Sequence, residues 1–148
     1  YEVKARNEGI SLTRNFAQDV PPCFIDPAGI HSAVSNLVSN AIHACKDLDE
    51  DQSHTITVSC FMNSANLVIE VKDDGAGMPE NVRDNLFKKF YSTKGSQGTG
   101  LGLVITRKVI HEHGGNIRVE SELGLGTTFI IEIPAKFEHI QPRLQEAC

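Results

Sequence analysis

The chain has 148 residues, 40% of them hydrophobic and 22% charged, a composition that supports one globular domain of ordinary core density and not two. Lys plus Arg number 14 against 19 Asp plus Glu, a formal net charge of −5, so the chain offers no broad cationic surface to nucleic acid or anionic lipid. No apolar run approaches the ~20 residues that span a bilayer, and the opening YEVKARNEGI lacks the apolar stretch of a signal peptide.

Residues 1–9 are polar and carry little pattern. Residues 10–25 read as weak extended structure, with Ile10, Leu12, Phe16, Val20, Phe24 and Ile25 interrupted by Pro21 and Pro22. Asp26-Pro27 is a helix start: a carboxylate able to cap free backbone amides, then a proline at the first helical position. From there Ile30, Val34, Leu37, Val38, Ala41, Ile42 and Cys45 recur at three- and four-residue steps, the stripe of an amphipathic helix that ends in the polar run 46–53. Residues 55–61 alternate, NSAN at 63–66 is a turn, and 67–72 alternate again, which predicts a β-hairpin.

The second strand of that hairpin runs into Asp73-Asp74-Gly75-Ala76-Gly77. After it, a stretch reaching Gly98 shows only a short helical piece around Val82 to Phe90 and reads as a lid, with disorder expected within residues 80–97. Gly98 to Gly102 opens a second helix carrying Leu101, Val104, Ile105, Val109 and Ile110, stopped by Gly114-Gly115. Strands at 116–121 and 127–133 follow, joined by the turn 122–126 and ended by Pro134, and 136–148 form a tail or linker. Helix, hairpin, lid, helix, hairpin implies an α+β two-layer α/β sandwich. Its mixed, mostly antiparallel sheet has about five strands, covered on one face by about three helices.

Cys23, Cys45, Cys60 and Cys148 contain no CxxC pair, and a domain this long needs no staples, so reduced thiols in a cytoplasmic setting are expected. The histidines are not spaced as a metal set: His111 and His113 are two apart and diverge on a helix.

Asn36 and Asn40 lie four apart on the first helix, one above the other, with His43 near the next turn. Their amide oxygens are hard neutral ligands suited to Mg²⁺, or else the two residues are surface amides bonded to neighbouring loops. Asp73 alternates in phase with Leu67, Ile69 and Val71, so its carboxylate points to the face those residues bury and needs a dedicated donor such as an adenine amine. Alternatively it has left the sheet and caps the Asp-Gly turn. Gly75 and Gly77 permit close approach of backbone to a flat ligand, or a positive-φ turn. Gly98, Gly100 and Gly102 precede a helix and offer amides to phosphate, although neither GxGxxG nor a Walker loop is present. Lys94 is a lid cation within reach of a terminal phosphate, or a solvated one. Thr127 is in phase with Phe129, Ile131 and Ile133, which places its hydroxyl on the buried face.

Taken in order, Asn36-Leu-Val-Ser-Asn40-Ala, Val71-Lys-Asp73-Asp-Gly75-Ala-Gly77-Met78, Phe87-Lys-Lys-Phe90-Tyr-Ser-Thr-Lys94, Gly98-Thr-Gly-Leu-Gly-Leu103 and Gly126-Thr127-Thr-Phe129 resemble the catalytic, ATP-binding domain of bacterial sensor histidine kinases. That domain belongs to the GHKL superfamily, with gyrase-type topoisomerases, heat-shock chaperones and mismatch-repair ATPases. The match covers roughly residues 20–135. The resemblance implies ATP held between the first helix and the lid, in a catalytic domain spanning residues 10–135. Asn40 would be the main Mg²⁺ ligand and Asn36 would support metal or phosphates. His43 and Ala44 would lie beside the nucleotide, with His43 where the family often carries a basic residue. Asp73 would accept from the adenine amine, with Gly75, Gly77 and Met78 against the ring. Phe87 and Phe90 would anchor the lid, with Tyr91 near the base. The amides of Gly98, Thr99, Gly100, Leu101, Gly102 and Leu103 would cradle the phosphates. Lys94 would reach the γ-phosphate, and Thr127 would support Asp73 through water.

Within the superfamily, ATP-hydrolysing members place a glutamate at position 36 to activate water, and an asparagine amide cannot accept that proton. Asn36 and Lys94 are therefore expected to serve phosphoryl transfer to a protein side chain, with slow hydrolysis. The resemblance also implies a separate histidine-bearing dimerisation domain, whose last helix would end in residues 1–9. A downstream response regulator, a homodimeric parent and a monomeric fragment follow from it, with the domain on the cytoplasmic side of any membrane-bound sensor. None of the histidines here sits in an acceptor motif on a helix; His111-Glu112 comes nearest and meets the Gly114-Gly115 stop. A protein serine kinase of the anti-sigma-factor type and a non-catalytic nucleotide-binding module share the expected fold.

Overall fold

In a computed structural model of the chain, the described residues are 1–46, 48, 53–88 and 101–135. The element order is α1 (Glu2–Asn7), β1 (Ile10–Phe16), α2 (Pro27–Lys46), β2 (His54–Asn63), β3 (Asn66–Asp73), α3 (Glu80–Arg83), α4 (Gly102–Glu112), β4 (Asn116–Glu122) and β5 (Gly126–Pro134). The strands form one sheet in the order β1-β2-β3-β5-β4. Only β1 and β2 run parallel, from Ile10 opposite His54 to Phe16 opposite Cys60; a parallel pair needs a crossover, which α2 supplies. The other pairings are antiparallel and follow from the two hairpins. The sandwich expected from the order of elements is the one observed.

One sheet face carries the apolar alternation. Ile56, Ile69, Val71, Phe129, Ile131 and Ile133 meet Leu37, Ile42 and Ile110 from α2 and α4 in a single buried cluster. Each such side chain contributes roughly 1.5–3 kcal/mol by burial. Leu37 and Ile42 are fully buried, so truncating either to Ala is expected to cost about 2–5 kcal/mol. The opposite face is largely polar, apart from buried Val68 and Ile130 near its centre.

The helix start at Asp26-Pro27 is as read: the Ala28 amide donates to Asp26 Oδ1 at 3.0 Å. The Asp26 amide donates to Nε2 of His113 at 2.9 Å, which pins the start of α2 to the end of α4. That end is formed by Gly114, at φ +71, and by the Gly115 amide donating to the Ile110 carbonyl at 3.0 Å.

Residues 1–9, whose sequence carries little pattern, contain a helix, α1, which packs on β1 and buries Ala5 completely; one buried alanine in six residues leaves no periodicity to read. Two local expectations need correction. Residues 10–16 are a full strand, not weak extended structure. Its pattern is faint because β1 is an edge strand in which only Ile10 is buried. Of the helical piece expected over Val82 to Phe90, residues 89 and 90 lie outside the described residues, and the described part to Lys88 is one helical turn, Glu80–Arg83, followed by turns. There the Asn85 side chain donates to the Asn81 carbonyl at 2.6 Å, a side-chain bond that competes with helix continuation.

Candidate functional site

The segment Gly75 to Met78, leaving β3, is threaded between two elements. On one side the Ala76 amide donates to the Ala44 carbonyl near the end of α2, at 3.0 Å. On the other, the Gly124 amide in the β4–β5 turn donates to the Ala76 carbonyl at 2.8 Å, and the Met78 amide donates to Ser121 Oγ at 3.0 Å. Glycine is required by this threading. A Cβ on Gly75 would lie 2.8 Å from the Ala44 carbonyl oxygen. Gly77 holds φ +62, and a Cβ there would drive into the Glu122 carbonyl. The positive-φ reading holds at Gly77, and both glycines approach protein backbone closely.

Asp73 faces the buried side, as its phase predicts, and accepts from the following turn without leaving the sheet. It is the last residue of β3, 2% exposed, and its Oδ1 accepts the Gly75 amide at 3.0 Å. Burial pushes its carboxyl up to about 6, with the nearby Asp74 charge adding to the rise. The backbone amides of Gly75 and Thr127 and the neighbouring His54 pull the other way. The result is a buried carboxyl with a raised pKa at the end of β3.

Thr127 lies opposite Asp73 in the β3–β5 register. It is buried, and its backbone amide bonds the Asp73 carboxylate. Its hydroxyl is 2.9 Å from Ser121 Oγ, and Ser121 also donates to the Gly126 carbonyl at 3.0 Å. Direct support of Asp73 by Thr127 thus comes through the main chain. Ser121, which joins Thr127 to the Met78 amide, is a residue the sequence reading missed. The signal was present: position 121 is in phase with Ile117 and Val119 on β4, so its hydroxyl had to face the helix layer.

Asn36 and Asn40 are half-buried on α2. The Asn36 side-chain nitrogen donates to the Gly102 carbonyl at 3.4 Å and to Thr106 Oγ1 at 3.3 Å, both on α4. Thr106 is fully buried. The donor end of Asn36 is therefore engaged in holding α4 against α2, and its oxygen is the group it can offer to a ligand. His43 and Ala44 are half-buried in the last turns of the same helix.

Leu101, Gly102 and Leu103 form the start of α4: Leu101 is exposed and Leu103 packs against the core. Phe87 also packs on the core, under the Arg107 guanidinium of α4, 5.6 Å from the ring centre. Phe90, Tyr91, Lys94, Gly98, Thr99 and Gly100 lie outside the described residues. A cavity of about 440 Å³ touches Asp73, Ser121 and Thr127, and its further lining includes Lys72, Arg83, Glu120, Glu122 and Leu125. Neither Asn36 nor Asn40 lines it. The residues brought together on the helix side of the sheet end are Asp73, Gly75, Gly77, Met78, Ala44 and Thr127, with Asn36 and Gly102 at the α2–α4 contact.

Buried thiols complete the electrostatic picture. Burial, reinforced by the Asp73 and Asp74 charges, pushes the Cys45 thiol up to about 12. Burial also raises that of Cys60, with Cys23 adding to it. Among the described residues, Cys23, Cys45 and Cys60 are free thiols, and no helix is long and apolar enough to cross a membrane.

Comparison with known proteins agrees with this fold. Over 139 residues the chain is 37% identical to sensor protein SrrB of Staphylococcus aureus (strain NCTC 8325 / PS 47), covering 90% of this chain and 23% of that protein. It thus spans about a quarter of the length of that relative. The nucleotide-free catalytic domain of histidine kinase ThkA superposes with a TM-score of 0.77 at 32% identity, over 90% of this chain and 86% of that one. The mycobacterial sensor histidine kinase MprB gives a TM-score of 0.71 at 25% identity, over 91% and 88%. Residues 25–136 match the family described as histidine kinase-, DNA gyrase B-, and HSP90-like ATPase, and the chain belongs to that family.

Proposed function

We propose that this chain is the ATP-binding catalytic domain of a two-component sensor histidine kinase. It binds Mg-ATP between α2 and the segment running from Gly75 to Leu103, and passes the γ-phosphoryl group to a histidine on a separate dimerisation domain of the parent protein. The observation that carries this reading is the buried Asp73 carboxylate, held by the Gly75 and Thr127 amides at the sheet end. A carboxylate so placed is an acceptor for the exocyclic amine of adenine, and the Gly75–Met78 backbone forms the wall against which the ring packs.

The donor set suits Mg²⁺. Asn40 and Asn36 present neutral amide oxygens from one helix face, and this ion takes a few hard protein oxygens while keeping water and phosphate ligands. When bound, it neutralises charge on the phosphates. The chain's own residues then position the nucleotide: Asp73 fixes the base, Asn36 and Asn40 face the phosphate side, and the start of α4 at Leu101 to Leu103 offers amides to phosphate oxygens. Lys94 is assigned the γ-phosphate, and Gly98 to Gly100 the remainder of the phosphate cradle. Asn36 cannot take a proton from water, so transfer to a protein side chain is favoured over hydrolysis. The parent is a homodimer that delivers its phosphoryl group to a response regulator, with this domain in the cytoplasm.

The test is incubation with labelled ATP, Mg²⁺ and the helical hairpin encoded next to this domain. Acid-labile phosphohistidine on the hairpin is the expected product. Acid-stable phosphoserine on a partner protein would replace this reading with a serine kinase, and calorimetry showing no Mg-ATP binding would leave a non-catalytic module.

A further inference from the structure

We propose that Cys45, His54 and Asp74 form a binding site for one borderline-soft divalent cation of the zinc type. The three residues come from the last turn of α2, the first position of β2 and the residue after β3. No spacing of histidines along the chain reveals the set, because the fold alone assembles it. One ligand atom from each lies within 4.8 Å of the other two. His54 Nδ1 is 3.1 Å from Asp74 Oδ1, and Cys45 Sγ is 4.0 Å from the same oxygen. In a tetrahedral zinc site, bonds of about 2.0–2.3 Å separate the ligands by roughly 3.3–3.7 Å, so small side-chain adjustments close the site.

The surroundings favour a cation. Cys45 and His54 are 2% and 8% exposed, which fixes two ligands, whereas Asp74 is exposed and leaves a path for the ion and a water. The Thr55 amide donates to the Asp74 carboxylate, 3.0 Å from each oxygen, and so orients it as an outer partner does in a metal site. A thiolate and an imidazole select zinc-like ions over Mg²⁺, so this site is chemically distinct from the nucleotide's metal. On binding, the Cys45 thiol proton leaves to solvent, the Nδ1 lone pair faces the ion and the ring proton resides on Nε2. The ion would cross-link the end of α2 to the start of the Asp74–Met78 segment, beside the Gly75 contact with Ala44.

Cobalt(II) added to nucleotide-free protein with a non-thiol reductant is the test. One equivalent is expected to give intense visible d–d bands and a near-ultraviolet thiolate-to-cobalt charge-transfer band, both discharged by stoichiometric zinc. Cys45→Ser abolishes the charge-transfer band. Asp74→Asn, at an exposed position that leaves the core intact, weakens cobalt affinity by more than about tenfold. Absence of the charge-transfer band at saturating cobalt overturns the proposal, as does its survival in Cys45→Ser, which would assign it to another of the four cysteines. No nucleotide is present, so neither result depends on the ATP-binding reading.

Discussion

Asp73 makes the folding stability of this domain depend on pH in a direction opposite to that of most carboxylates. Its folded-state value of about 6, against an ordinary 3.8, means that the unfolded chain releases the proton first as pH rises. Between those two values the native state binds one more proton than the unfolded state. Stability therefore falls by about 1.4 kcal/mol per pH unit, or roughly 3 kcal/mol in all, and levels off above pH 6. Asp73→Asn removes the titration and keeps an oxygen to accept the Gly75 amide. Urea denaturation of both proteins from pH 4 to 7.5 isolates the effect, since groups that titrate alike in both cancel in the difference. The natural protein is expected to lose about 2.4 kcal/mol relative to the variant across that window, which starts just above the unfolded value of 3.8. Equal slopes would refute the assignment of a buried, raised carboxyl to Asp73. On the proposed function, ATP affinity has the opposite sign: with the ionised carboxylate as the acceptor for adenine, binding is expected to weaken as pH falls through 6, and the variant to bind poorly throughout.

Gly77→Ala places a side chain at φ +62 against the Glu122 carbonyl and is expected to destabilise by at least about 2 kcal/mol. Gly124→Ala, at φ +81 with nothing within 4 Å, should cost only about 1 kcal/mol; equal losses in urea melts would contradict the threading of Gly75 to Met78. Ser121→Ala leaves the Met78 amide and the Thr127 hydroxyl without their partner, with an expected loss of about 1–3 kcal/mol and weaker ATP binding by calorimetry. Asn36→Glu supplies the missing base and should raise ATP hydrolysis by about tenfold or more in a phosphate-release assay; a natural chain that already hydrolyses at the mutant's rate would remove position 36 as the determinant.

Much of this domain is legible along the chain because its signals are local. The stripe from Ile30 to Cys45 and the two hairpins depend on side-chain periodicity at 3.6 and 2 residues, and the phase of Asp73 and Thr127 with their apolar neighbours was enough to bury both. α1 and β1 were obscure because each buries only one residue and is held by the sheet edge, not by its own pattern. The sequence by itself determined the two-layer architecture, the glycines of the Gly75–Gly77 turn and the buried placement of Asp73. Only the tertiary structure decided that Asn36 turns its amide to α4, that Ser121 ties Thr127 to Met78, and that Cys45, His54 and Asp74 converge. Those contacts join residues from separate elements, many of them far apart in sequence, whose meeting depends on how helices and strands pack, information that no local periodicity carries.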